Sequence, residues 1–152
     1  MRKRMCSCVL VAFLMVLICA APVAHAQQKR AITAPGPAKN LPFSDGILVG
    51  KTLYIAGSEG TDDSGKLAPG GIEAETQAAL GNIEKVLKQA GMGMNDLVAV
   101  TVYLADIQDF PAMNKVYRTL VPDPKPTRAT VQVAALVGGA RVEISAIAVK
   151  QK

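Results

Sequence analysis

The chain has 152 residues, a formal charge of +5 and a half-apolar composition, enough for one domain with its own core. All three cysteines (Cys6, Cys8, Cys19) and the only histidine (His25) precede residue 27; so do Arg2, Lys3 and Arg4, which leaves the body at +2. That excludes from the body a disulfide framework, thiol or histidine catalysis and a Cys/His zinc site, and it leaves no basic run to bind nucleic acid.

Residues 1–26 read as a cleavable signal peptide. Arg2, Lys3 and Arg4 form a positive head, the apolar run 9–21 is short for a membrane span, and Ala24-His25-Ala26 is a small-x-small cleavage site. The mature chain is expected to start at Gln27 and to be exported, periplasmic or secreted, with no membrane association after cleavage. Ile18 is bulky before Cys19, which argues against lipidation; an uncleaved anchor is the competing reading. A body without cysteine suits an oxidising compartment.

Residues 27–42 are polar and carry Pro35, Pro37 and Pro42, which forbid a helix and predict an extended arm, with room for a short edge strand. The remaining span, 43–152, is predicted to be one α/β domain. Ile47-Leu48-Val49 and 52–56 flank Gly50-Lys51 and read as a tight hairpin. Gly57-Ser58-Glu59-Gly60 and Asp62-Asp63-Ser64-Gly65 have loop chemistry.

Residues 72–90 have the clearest helical pattern. Ile72, Thr76, Ala79, Leu80, Ile83, Val86, Leu87 and Ala90 recur on one face, and Gly91 is a fitting stop. Glu73 and Glu75 near the start and Lys85 and Lys88 near the end suit the helix dipole. Gly81 costs about 1 kcal/mol relative to Ala, which close packing on a sheet would explain. Residues 97–104 alternate as a strand, with Val98, Val100, Val102 and Leu104 on one side. A second helix starts at Asp109-Phe110-Pro111, Asp as cap and Pro in the first turn, and buries Phe110, Met113, Val116, Tyr117 and Leu120. Pro122, Pro124 and Pro126 end it.

The last two strands, 126–136 and 141–149, read as neighbours joined by a short turn at Gly138-Gly139. In the first, Ala129, Val131 and Val133 oppose Arg128, Thr130 and Gln132. In the second, Val142, Ile144, Ala146 and Ala148 oppose Glu143, Ser145, Ile147 and Val149. The wholly apolar sides are assigned to the helices. Two helices then cover one face of a five- or six-stranded sheet. The other face carries Tyr54, Tyr103, Ile147 and Val149 and is expected to be buried by oligomerisation. Arg128 and Glu143 are both assigned to that second face.

Arg128 can hold a carboxylate through two parallel hydrogen bonds. Glu143, between apolar neighbours, can carry a raised pKa and handle water. The bland readings are a structural ion pair at an interface for Arg128 and a salt bridge, to Arg128 or Arg141 for example, for Glu143. Ser58 has no histidine to activate it, and 62–65 lacks the spacing of a calcium loop.

Pro-x-Arg-x-x-Val-x-Val-Ala at 126–134, followed by Val-Glu-Ile-x-Ala-Ile-Ala at 142–148, resembles the signature of the RidA/YjgF family. The likeness runs from about residue 34 to 150, taking in Ile55-Ala56-Gly57, Leu80-Gly81-Asn82-Ile83 and a segment with Phe110, Asn114 and Tyr117. The resemblance implies a chorismate-mutase-like α/β fold: a mixed sheet with two helices on one face and the other buried in a homotrimer with three intersubunit clefts. It implies hydrolysis of reactive enamines and imines such as 2-iminopropanoate to 2-keto acids and ammonia, with no metal or organic cofactor. Arg128 then binds the substrate carboxylate and Glu143 orients the attacking water. Thr130, Phe43, Ala56, Gly57 and Asn114 are the further substrate-binding candidates.

Three positions depart from the pattern of family deaminases: Phe43 stands where they tend to have Tyr, Ala56 where they have Ser, and Thr130 where they have Cys. The alternative is a non-catalytic trimer of the same fold that binds a small carboxylate or acts as a chaperone. A nuclease reading has little support from the near-neutral body, which lacks aromatic stacking stretches.

Overall fold

A computed structural model describes residues 28–35 and 41–151. The predicted leader and cleavage point, and residues 36–40 of the arm, lie outside the described residues. The elements are β1 (Lys29–Ile32), β2 (Gly46–Val49), β3 (Thr52–Glu59), α1 (Ile72–Gln89), β4 (Leu97–Leu104), α2 (Phe110–Leu120), β5 (Thr127–Gln132) and β6 (Val142–Val149). They form a six-stranded mixed sheet in the order β1-β2-β3-β6-β4-β5. Only β4 and β5 run parallel. Residues 29–32 of the arm supply the edge strand.

The helices form where the apolar stripes required them. In α1, Ile72, Thr76, Ala79, Leu80, Ile83, Val86 and Leu87 are all buried, and Gly91 follows the helix at φ 68°, a turn that favours glycine. Leu80, Ile83 and Leu87 meet Leu53 of β3 and Ile144 of β6 in one core. Each such fully buried side chain contributes about 1.5–3 kcal/mol. In α2, Met113 and Tyr117 are buried, Phe110 and Val116 half-buried, and Leu120 is 41% exposed.

Several expectations are corrected. Gly81 has nothing within 4 Å of where a Cβ would stand, so close packing does not explain it. Asp109 is at the cap position of α2 but makes no side-chain cap bond. Its carboxylate instead accepts two hydrogen bonds from Arg141, at 2.8 and 3.0 Å. Residues 57–59, expected in a loop, belong to β3. A bulge between Ile55 and Ser58 keeps the strand going through Gly57.

The largest correction concerns the last two strands. β5 and β6 are not paired with each other. β4 lies between them, because the β4–α2–β5 crossover sets β5 parallel to β4. The chain then returns through 133–141 and lays β6 antiparallel on the other side of β4.

Register fixes the faces. Val100 and Val102, both buried, pair with Arg128 and Thr130 on one side and with Ala146 and Ile144 on the other. Arg128 and Thr130 therefore share the helix face with the core. Tyr103 pairs with Glu143 and with Val131, so Glu143 and Val131 share the opposite face. Arg128 and Glu143 lie on opposite faces of the sheet, and Val131, 44% exposed, does not pack on the helices. Val98 is likewise turned out, 38% exposed, because a bulge between Leu97 and Ala99 buries Leu97 instead. The alternation read for β6 holds: Val142, Ile144, Ala146 and Ala148 are all buried.

Candidate functional site

Two half-sites are found, one on each face. The first is built by β5 and α2. Phe110, Asn114 and Tyr117 recur at i, i+4 and i+7 and so line one side of α2. Arg128 reaches into that row. Its Nη2 donates to Asn114 Oδ1 at 2.9 Å. Its Cζ stands 4.5 Å from the Tyr117 ring centroid and 5.7 Å from that of Phe110, within cation–π range. The guanidinium is thus held at Nη2 and across its face, and a single bond to Asn114 leaves donors of its five for a ligand.

Thr130 lies two residues along the same face, and its Oγ1 is buried without a partner among the described residues, as is the Tyr117 hydroxyl. Burial pushes the Tyr117 hydroxyl above its ordinary pKa, and the Arg128 charge opposes this. Periodicity by itself places Phe110 and Tyr117 in the core stripe of α2. Their second role as walls for Arg128 was visible in the spacing to Asn114, but only once β5 is known to lie over α2.

The second half-site is built by β3 and β6. The Glu143 carboxylate lies against the bulge of β3. A Cβ placed on Gly57 would stand 1.9 Å from Glu143 Oε1 and 2.8 Å from its Cδ. Only glycine leaves room for that approach. Burial, and then the charge of Glu59, raise the Glu143 pKa above the ordinary glutamate value. Among the described residues Glu143 has no ion pair. Arg141, its expected alternative partner, is taken by Asp109. Within one protomer, Glu143 therefore makes neither of its expected salt bridges among the described residues.

On the α1 side of the same bulge, Phe43, Ala56 and Gly57 line a cleft of about 120 Å³ with Ile83 and Val86 of α1; Glu143 is not among its lining residues. Phe43 is 57% exposed at its rim. The Ala56 N–H donates to the Asp45 carbonyl at 2.9 Å, and Asp45 Oδ2 accepts from the Ala34 N–H at 2.8 Å, which ties the arm to the cleft wall.

The structure brings Arg128, Asn114 and Thr130 together and, as a second group, Glu143 and Gly57; Phe43 and Ala56 line the cleft between Gly57 and α1 and are not brought to Glu143. It does not bring the two groups together. Arg128 and Glu143 are two strands apart and offset by three residues, about 14 Å between Cα positions, and they face opposite ways. Ser58, assigned to a loop, pairs with Ile144 inside β3. Asp62 accepts from the Ser64 N–H and hydroxyl at 2.8 and 2.7 Å, a turn closed on itself; the Ser64 hydrogen bond lowers its pKa. Among the described residues no group of three or more His, Cys, Asp or Glu side chains could hold a metal ion.

A family model described as Endoribonuclease L-PSP matches residues 32–150. The 2-iminobutanoate/2-iminopropanoate deaminase of Capra hircus is 50% identical over 119 residues, which are 78% of this chain and 87% of that protein. Among solved structures, a putative endoribonuclease L-PSP from Entamoeba histolytica superposes with a TM-score of 0.77 at 33% identity, over 81% of this chain and all of the other. RidA from the Antarctic bacterium Psychrobacter sp. PAMC 21119 superposes with a TM-score of 0.73 at 35% identity, over 83% of this chain and 99% of the other.

Proposed function

The chain belongs to the RidA/YjgF family, the family described as Endoribonuclease L-PSP, and on that premise we propose that it is a cofactor-free imine deaminase whose sites form between the subunits of a homotrimer. Its substrates are reactive enamines and imines of the 2-iminopropanoate class, and its products are 2-keto acids and ammonia. The observation that carries this reading is the pair of half-sites: a cradled guanidinium on one sheet face and an unpaired carboxylate of raised pKa on the other.

One protomer cannot direct both groups at one small substrate across about 14 Å and through a sheet. A second copy, laying its Arg128 edge against the Glu143 face of the first, would complete the site. It would also cover Tyr54, 51% exposed, and Val131.

The chemistry asks for little more. Arg128 holds the substrate carboxylate. The iminium carbon is already electrophilic, so a placed water suffices as nucleophile. The Glu143 carboxylate takes a proton from that water as the C–O bond forms, and passes it to the nitrogen. As the C–N bond breaks, Glu143 takes the hydroxyl proton and hands it to the released ammonia. Iminium plus water thus becomes keto acid plus ammonium, and Glu143 returns to its starting state. A carboxyl group of raised pKa suits both transfers, and such help is worth about 10²–10⁴-fold.

The test supplies imine from an amino-acid oxidase, traps it with semicarbazide, and measures the trapped product with and without the purified protein. Faster loss of imine is expected. No acceleration, or full activity in Arg128→Ala, contradicts the reading. Ala56 and Thr130 favour a second reading, a trimer that binds a small carboxylate without turnover. Keto-acid binding by calorimetry with no imine hydrolysis would select it.

Export with cleavage after Ala26 is part of the proposal and rests on Arg2, Lys3, Arg4, the apolar run and Ala24-His25-Ala26. N-terminal sequencing of the exported protein should begin at Gln27.

A further inference from the structure

We propose that Glu59 is a positioning residue for this reaction: a second carboxylate set directly across the β3–β6 pair from Glu143, whose negative charge keeps a proton on Glu143 available for the departing amine. The inference rests on the deaminase reading for its consequence, but its physical content is independent of turnover.

Glu59 and Glu143 are register partners in adjacent antiparallel strands, so they point to the same side with their Cβ atoms about 4.5–5.5 Å apart. Like charges directly opposite each other destabilise a sheet. A strand built only for stability would have an uncharged or basic residue at 59. Retaining the pair breaks a local rule at the one carboxylate the chemistry uses, which is where such breaks are expected.

Neither carboxylate is relieved by another of the described residues. Among the described residues no hydrogen bond or salt bridge reaches the Glu59 side chain, and none reaches Glu143. The nearby cations are engaged elsewhere: Lys85 with Asp63 at 2.6 Å, and Arg141 with Asp109 at 2.8 Å. Of the groups facing Glu143, β3 contributes Glu59 and the bare backbone of Gly57, and β4 contributes Tyr103. Both helices pack on the other face. In the proposed trimer the remaining charge is Arg128 of the partner subunit. It is neutralised by the substrate carboxylate when the site is filled, which leaves Glu59 as the charge acting on Glu143 during the proton transfers.

Burial raises the proton affinity of Glu143 first, and the Glu59 charge adds to it in the same direction. The consequence is a donor that still holds its proton when the carbinolamine nitrogen needs it.

The experiment follows the side-chain carboxyl carbon of Glu143 by ¹³C NMR titration in the full mature chain, with Glu143→Gln to assign the signal. Wild type is compared with Glu59→Gln, which keeps the shape and removes the charge, and with Glu59→Asp, which keeps the charge. The midpoint of Glu143 is expected to fall in Glu59→Gln and to stay raised in Glu59→Asp. The acid limb of kcat/KM should move to lower pH in Glu59→Gln alone, with KM for the imine unchanged. A midpoint unmoved in Glu59→Gln, or an equal fall in both variants, overturns the proposal. Because the titration needs no substrate, it separates this failure from that of the deaminase reading, which shows as a wild-type protein that does not accelerate imine loss.

Discussion

Gly57→Ala is the sharpest perturbation of the second half-site. The added Cβ would stand 1.9 Å from Glu143 Oε1, and ordinary van der Waals contact begins near 3.4 Å, so the carboxylate must retreat by about 1.5 Å. What it meets is the end of a flexible side chain, not backbone. The fold can therefore accept the methyl group by letting Glu143 swing away. Stability should change by no more than about 1 kcal/mol, partly offset by the lower freedom of Ala in the unfolded chain. Catalysis cannot accept the same movement. A displacement of about 1 Å from reacting geometry is enough to lose about 10²-fold. We expect kcat in the oxidase-coupled assay to fall about 10²-fold while KM, set by Arg128 on the other half-site, stays within about twofold. Urea unfolding of the same preparation checks the fold. Wild-type kcat in a well-folded Gly57→Ala would refute the placement of Glu143 over Gly57, and unfolding as the cause of lost activity would refute the claim that a side chain alone gives way.

Further predictions follow from the same geometry. Gly60→Ala should behave in the opposite way, because its Cβ would lie 2.3 Å from the backbone of Glu75 in α1, which cannot swing aside. A loss of about 1–3 kcal/mol or more in urea unfolding is expected. Arg128→Lys keeps the charge but loses the planar fork and the stacking on Tyr117, so KM for a carboxylate-bearing imine should rise about tenfold or more, with kcat less affected. With its pKa raised, Glu143 in its proposed role as base toward water should lose activity by protonation at a higher pH than an ordinary glutamate would. Its stability term has the matching sign: the folded state binds the proton more tightly, so stability falls as pH rises from the unfolded to the folded pKa. Glu143→Gln should therefore be more stable than wild type at neutral pH and not in strong acid, as thermal melts across pH would read.

What was legible in the sequence was whatever local periodicity decides alone. The stripe from Ile72 to Leu87 gave α1 its buried face, and the alternation of Val142, Ile144, Ala146 and Ala148 gave β6 its own. The failures share a cause, which is partner choice. In β5, alternation separates Arg128 and Thr130 from Ala129 and Val131 correctly, but β5 is an edge strand with exposed residues on both sides. Hydropathy there does not say which set faces the helices; only the parallel register with β4 does. The neighbouring of β5 and β6 failed for the same reason, since a short Gly-Gly connection looks like a hairpin until a third strand is known to lie between. Gly57-Ser58-Glu59-Gly60 has turn composition, yet its glycine serves to admit a carboxylate to a bulged strand. The candidate residues Arg128 and Glu143 were readable from residue type and resemblance. Their placement on opposite faces was not, and it is that placement which leads the proposed function to a second protomer.

Subunit mixing tests this most directly. Arg128→Ala and Glu143→Gln, each inactive alone, are unfolded together, refolded as a mixture and assayed for imine hydrolysis. If each site draws Arg128 from one subunit and Glu143 from the next, some mixed assemblies regain an intact pair, and a substantial fraction of wild-type turnover returns. If both groups serve a site within one chain, every site keeps a defect, and the mixture stays as inactive as its components.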